Sequence, residues 1–103
     1  MEIARYIMSI LKTQLMVVWS WGFNSPIAVE NGLRFKVQGF KFKGVVEVVY
    51  DEGTDLFNIT LIKRNKVVKS INGVFCDMII STIDNAVEKT SDYKERVREE
   101  YSI

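Results

Sequence analysis

Few residues in this sequence are equipped to do covalent chemistry. The 103 residues include no histidine and a single cysteine, Cys76. A thiol nucleophile needs a base beside it, and without histidine that base must be a lysine or a carboxylate. Cys76 falls near the start of a predicted helix, where the positive helix end lowers a thiol pKa. A lone cysteine in a helix is more often a small buried apolar residue, and that is the reading expected here. The missing histidines and the absence of paired-ligand spacing argue against a zinc-type site. Asp51, Glu52 and Asp55 around Gly53 offer oxygen ligands to a hard cation, but their spacing is not that of an EF-hand. The same residue types favour a turn with no ion bound. Trp19 and Trp21 would stack a base or a sugar if exposed. Their spacing with Val17 and Phe23 instead assigns them to one buried face. With no glycine-rich phosphate loop and no triad-like arrangement, the expectation is a protein that is not an enzyme and has no metal or cofactor.

Charge is the remaining signal. The formal net charge is only +1, but it is unevenly spread. Residues 34–69 carry eight basic side chains against four acidic ones, whereas from residue 72 onward seven acids face four bases. Lysines on strands guard sheet edges against pairing with other chains. Alternatively they form an anion-facing surface, with Arg34, Lys36, Lys41, Lys43, Lys63, Arg64 and Lys66 as the candidate nucleic-acid contacts. Glu47 is expected to neutralise part of that face. No aromatic residue alternates with these bases on the exposed side to stack a nucleobase.

These residues need elements to position them. A composition of 48% hydrophobic and 26% charged side chains fits one soluble domain, read as residues 1–90, with a short charged helical tail at 91–103. The lone cysteine fits a reducing compartment, the N-terminus does not read as a signal peptide, and no apolar stretch is long enough to span a membrane. A cytoplasmic protein is expected. Ile3, Ile7, Ile10 and Leu11 recur at helical spacing and predict a helix over 2–13. Alternation then predicts strands over 17–23, 33–37, 45–50, 56–63 and 67–71, with Asn24-Ser25-Pro26 ending the first of them. Asn72-Gly73 reads as the next turn, with Asn72 as an N-cap. The stripe Phe75, Met78, Ile79, Ile83, Ala86 and Val87 predicts a long C-terminal helix. Short connections favour an antiparallel meander. The fold class expected is therefore α+β, a five-stranded antiparallel sheet with both helices packed on one face.

That architecture divides the apolar residues. Val17, Trp19, Trp21, Leu33, Phe35, Val37, Val46, Val48, Phe57, Ile59 and Leu61 should face the helices. Ile7, Ile10, Met78, Ile79 and Ile83 should oppose them. Met16, Val18, Val45, Val49, Leu56 and Ile62 then fall on the opposite sheet face, around Arg34, Lys36, Glu47, Asn58 and Thr60. Apolar patches left open on a sheet mark an interface. A homodimer through this face or an edge strand is expected.

Several segments resemble a group of small uncharacterised bacterial proteins found in phages and other mobile elements. They are Ile3-Ala4-Arg5-Tyr6-Ile7, Asn31-Gly32-Leu33-Arg34-Phe35-Lys36-Val37, residues 45–57 and Gly73-Val74-Phe75-Cys76-Asp77. The resemblance covers residues 2–87 and implies the order helix, meander, helix. Where members of that group carry a Gly-Gly turn after the first helix, this chain has Thr13-Gln14, and the tail after Thr90 is an addition. The resemblance implies a mobile-element setting and carries no catalytic residue or cofactor. Together these readings lead to a non-enzymatic protein-binding or accessory module with a host or phage protein as partner. The alternative is a nucleic-acid-binding domain using the basic sheet.

Overall fold

The N-terminal residues are held by helical spacing further than expected. The computed structural model describes residues 2–88, so the tail expected at 91–103 lies outside the described residues. Helix α1 (Ile3–Leu11) buries Ala4, Ile7 and Leu11, three and four residues apart, on one stripe. A 3-10 turn (Lys12–Gln14) leads into a second short helix, α2 (Leu15–Ser20). The strand expected over 17–23 is therefore not formed. Val18, 2% exposed, and Trp21, fully buried, lie three apart and face inward, whereas Trp19 is 65% exposed. The alternation of large residues at 17, 19, 21 and 23 coincided with a helical spacing that packs better. Gly22 then ends α2 with φ +69° and donates its N–H to the Trp19 carbonyl at 2.9 Å, as glycine does just past a helix end.

Five strands follow in chain order: β1 (Asn24–Val29), β2 (Gly32–Gln38), β3 (Lys43–Asp51), β4 (Leu56–Lys63) and β5 (Lys66–Val74). They form one antiparallel meander in the order β1-β2-β3-β4-β5. The expected strand count holds, but the first strand sits later and contains Pro26. A proline without an N–H is tolerated because β1 is an edge strand, and the register shifts between Asn24 and Ile27 around it. Asn72-Gly73 is not a helix start. Phe57 pairs with Val74 and Ile59 with Ile71, so residues 72 and 73 together oppose Asn58 in a bulge. Gly73 takes φ +71° there and donates its N–H to Asn58 Oδ1 at 3.3 Å.

After a second 3-10 turn (Cys76–Met78), helix α3 (Ile79–Val87) closes the described chain. It is nine residues long, no longer than α1, because the stripe begins at Ile79 rather than Phe75. Phe75 and Met78, expected inside, are exposed, and so is Cys76, expected as a buried apolar residue. The α+β meander with helices on one face is otherwise as expected. Its core joins Ile7, Leu11, Val18 and Trp21 to Phe35, Val46, Val48, Ile59, Ile79 and Ile83. The Trp21 indole N–H donates to Asp84 Oδ1 at 2.9 Å, tying the end of α2 to α3. The Val87 carbonyl accepts the Lys41 and Phe42 N–H groups at 2.8 and 3.0 Å, which fixes the β2–β3 turn to the end of α3.

Candidate functional site

A meander brings alternate turns to the same end of the sheet, and here that rule sorts charge. The β2–β3 turn and the β4–β5 hairpin lie at one end, where Gln38 pairs with Lys43 and Lys63 with Lys66. Five of the seven predicted basic contacts therefore converge there: Lys41, Lys43, Lys63, Arg64 and Lys66. Lys41 Nζ is already used, donating to the Asn85 carbonyl at 3.0 Å. The other two lie further in on the uncovered face. Lys36 stands opposite Val45. Arg34 is held by Glu47 through Nε at 3.0 Å and Nη2 at 2.5 Å, so the neutralisation expected from Glu47 is present.

The face away from the helices carries four of the six predicted interface residues. Val45 pairs with Ile62, Val49 with Asn58, and Asp51 with Leu56, which leaves these four apolar side chains half-buried around Arg34, Glu47 and Thr60. The other two, Val18 and Met16, lie elsewhere. Val18 is in the core and Met16 projects from α2, because residues 15–20 are helical and belong to no sheet face.

The opposite end of the sheet is acidic. Glu30, Asp51, Glu52 and Asp55 lie in or beside its two turns, and α1 begins there at Glu2. In the Asp51, Glu52 and Asp55 cluster around Gly53, considered for a cation, Asp51 and Asp55 make local hydrogen bonds. Asp51 Oδ1 accepts the Gly53 N–H at 2.9 Å. Asp55 adopts φ +59° and accepts the Tyr50 hydroxyl. Among the described residues no three carboxylate or thiol groups gather as metal ligands.

At this acidic end a groove of about 540 Å³ opens between the start of α1, the β3–β4 turn and the residues after β5. Its walls include Ile3, Tyr6, Tyr50, Phe57 and Phe75, with Asp55 at the lip. The three rings nearest the sheet are ordered by packing. Phe57 is buried, with Tyr6 stacked on it at 6.2 Å and 18° and Tyr50 tilted against it at 5.4 Å and 54°. Tyr50 continues the inward alternation of Val46 and Val48 past the last helical cover, so its ring stays half-open. Phe75 is 63% exposed at the rim. The hydrogen bond to Asp55 holds the Tyr50 phenol above its ordinary pKa, helped by desolvation and by the charges of Asp55, Glu52 and Asp51. The Tyr6 phenol is likewise raised, first by its hydrogen bond with Cys76, then by desolvation and nearby negative charge. Both phenols therefore stay neutral through the physiological range. The groove offers aromatic faces and hydroxyls beside one carboxylate.

Sequence reading missed Tyr6, Tyr50, Phe57 and Phe75 as a group. The available signal was Tyr50, inward by alternation yet next to the acidic turn.

No helix among the described residues is long and apolar enough to cross a membrane. Comparison with family models, with curated proteins and with solved structures gives no match for this chain.

Proposed function

We propose that this chain is a non-enzymatic protein-binding module and that the aromatic groove is its recognition site. The observation that carries this reading is the open groove walled by Tyr6, Tyr50 and Phe57 with Phe75 exposed at its rim. Aromatic side chains in a concave, partly wet surface are the residues that most often anchor a protein partner. Asp55 accepts the Tyr50 hydroxyl, and exposed Cys76 has a tyrosine, Tyr6, as its neighbour in the groove wall, a residue type that is a poor base for activating a thiol. The test is a nuclease-treated bacterial lysate passed over the immobilised protein and over its Phe75→Ser variant. A protein retained by the first and lost by the second is expected. Because Phe75 is exposed, the variant should melt with the parent. Retention that is indifferent to the substitution would reject the groove as the recognition site.

Two further parts of this reading come from other observations. The resemblance of the segments around Asn31, residues 45–57 and Gly73 supports an accessory role in a bacterial mobile element. The half-buried apolar residues Val45, Val49, Leu56 and Ile62, with exposed Ile27 and Val67 at the margins, support a homodimer through the uncovered sheet face. Light scattering at high micromolar concentration should give twice the monomer mass, and a monomer mass would reject the dimer.

A second reading is favoured by the gathering of Lys41, Lys43, Lys63, Arg64 and Lys66 at one end. Such a cluster supports weak, sequence-independent and salt-sensitive contact with nucleic-acid phosphates. Fluorescence anisotropy with labelled DNA and RNA at low salt, repeated with Lys63, Arg64 and Lys66 changed to Glu, tests it. Binding should be lost in the triple variant and weaken steeply with salt. Binding that survives both would place the contact elsewhere.

A further inference from the structure

The groove and the charge segregation meet at one end of the molecule, and their combination is more specific than either alone. Its walls are aromatic and aliphatic, which suits the methylene stem of a long side chain. Its lip holds the Asp55 carboxylate, one oxygen of which accepts the Tyr50 hydroxyl. Asp51 and Glu52 stand in the same turn, and the five clustered bases lie in or beside the turns at the opposite end of the strands. The basic residue on the adjoining helix, Arg5, is matched by Glu2 at 3.9 Å. The groove therefore sits in a region of negative potential, with π-faces that attract a cation and repel a carboxylate. A basic head brings an opposite charge to the exposed Asp55 carboxylate, which a purely apolar occupant does not.

We propose that the aromatic groove binds the side chain of a lysine or arginine presented by a partner protein. Its aliphatic stem lies against Tyr6, Phe57 and Phe75, and its charged head meets Asp55 beside the Tyr50 ring. The Tyr6 and Tyr50 phenols support this arrangement because both remain neutral. Their hydroxyls offer lone pairs and their rings keep their negative faces without adding full charges. The inference rests on the protein-binding reading and specifies which feature of the partner is recognised.

The test uses blocked alanine pentapeptides with a central lysine, arginine or norleucine, titrated into the isotopically labelled full chain and followed by amide NMR. Norleucine keeps the stem and removes the charge. The lysine or arginine peptide should shift the amides of Tyr6, Tyr50, Asp55 and Phe75 and saturate at low millimolar concentration. The norleucine peptide should bind about tenfold more weakly, the ratio set by roughly 1.4 kcal/mol of cation–π and carboxylate attraction. Asp55→Asn should erase most of that difference. Asparagine tolerates the left-handed backbone at this position, so the variant should keep the parent spectrum elsewhere. Tetramethylammonium serves as the free-cation probe. Tighter binding of that ion than of the basic peptides would assign the groove to a small molecule and overturn the proposal. Equal binding of all three peptides would also overturn it, while loss of the lysate partner in Phe75→Ser would still leave the protein-binding reading standing. Shifts confined to other surfaces, or no shifts at all, would reject the groove as the cation site.

Discussion

Replacing Phe35 by alanine should cost about 3–5 kcal/mol of folding stability, a large part of what a domain of this size possesses. Phe35 is fully buried at the middle of β2, and its ring packs on Phe23 at 4.8 Å between centroids. It lies between the edge strand and the centre of the sheet, where its neighbours Leu33 and Val37 are also buried. The cavity left by its removal is walled by strands that cannot close without breaking ladder pairs. Urea unfolding followed by the signal of buried Trp21 would measure the loss. A midpoint within error of the parent would mean that β2 presents its other face to the helices, contrary to the observed register with β3.

The second large effect is expected at Gly39. A Cβ placed there would lie 2.3 Å from Val87 Cγ1 and 2.5 Å from the Val87 carbonyl oxygen. The same carbonyl accepts the Lys41 and Phe42 N–H groups, so the turn cannot retreat from the helix without losing both hydrogen bonds. Gly39→Ala should therefore cost about 1–3 kcal/mol through overpacking, and more if the turn detaches. Gly53→Ala is the matched control, since its Cβ would meet only Asp51 Oδ1 at 3.3 Å in an exposed turn. For a domain near 100 residues each lost kcal/mol lowers the melting temperature by about 4–8 °C. Equal melting temperatures for the two variants would show that the β2–β3 turn is not held against α3. That contact also fixes the position of the β2–β3 turn at the basic end of the sheet.

The elements that depart from local periodicity share a physical origin. From 17 to 23 the large residues fall at every second position, which is strand-like, while Val18 and Trp21 fall three apart, which is helical. Both periods were present in the same seven residues. The period that won is the one that carries Trp21 to Asp84 and leaves Trp19 in solvent. Pro26 reads locally as a strand stop, although proline is barred only from positions whose N–H must pair. Whether a strand is central or at an edge is a property of the sheet, not of the strand. Asn72-Gly73 suited a helix start and a bulge equally well by local chemistry. The pairing of Phe57 with Val74 decided for the bulge and delayed the helix to Ile79.

Where the alternation was unmixed, local sequence was sufficient. Leu33, Phe35 and Val37 against Arg34, Lys36 and Gln38 admit one face assignment, because a strand has period two and a one-residue slip would bury three polar side chains. The same holds for Phe57, Ile59 and Leu61, and the short turns between these runs determined the antiparallel meander. Composition likewise separated bases in the sheet region from acids after it. Tertiary structure decided where those charges meet. Only the antiparallel order places the 39–42 and 64–65 turns at one end and the Asp51–Asp55 turn at the other. Only the packing of α1 on the sheet brings Tyr6 to Phe57, 51 residues away, and leaves Tyr50 and Phe75 uncovered beside it. A groove is a relation between surfaces of separate elements, so no local period in the chain encodes it.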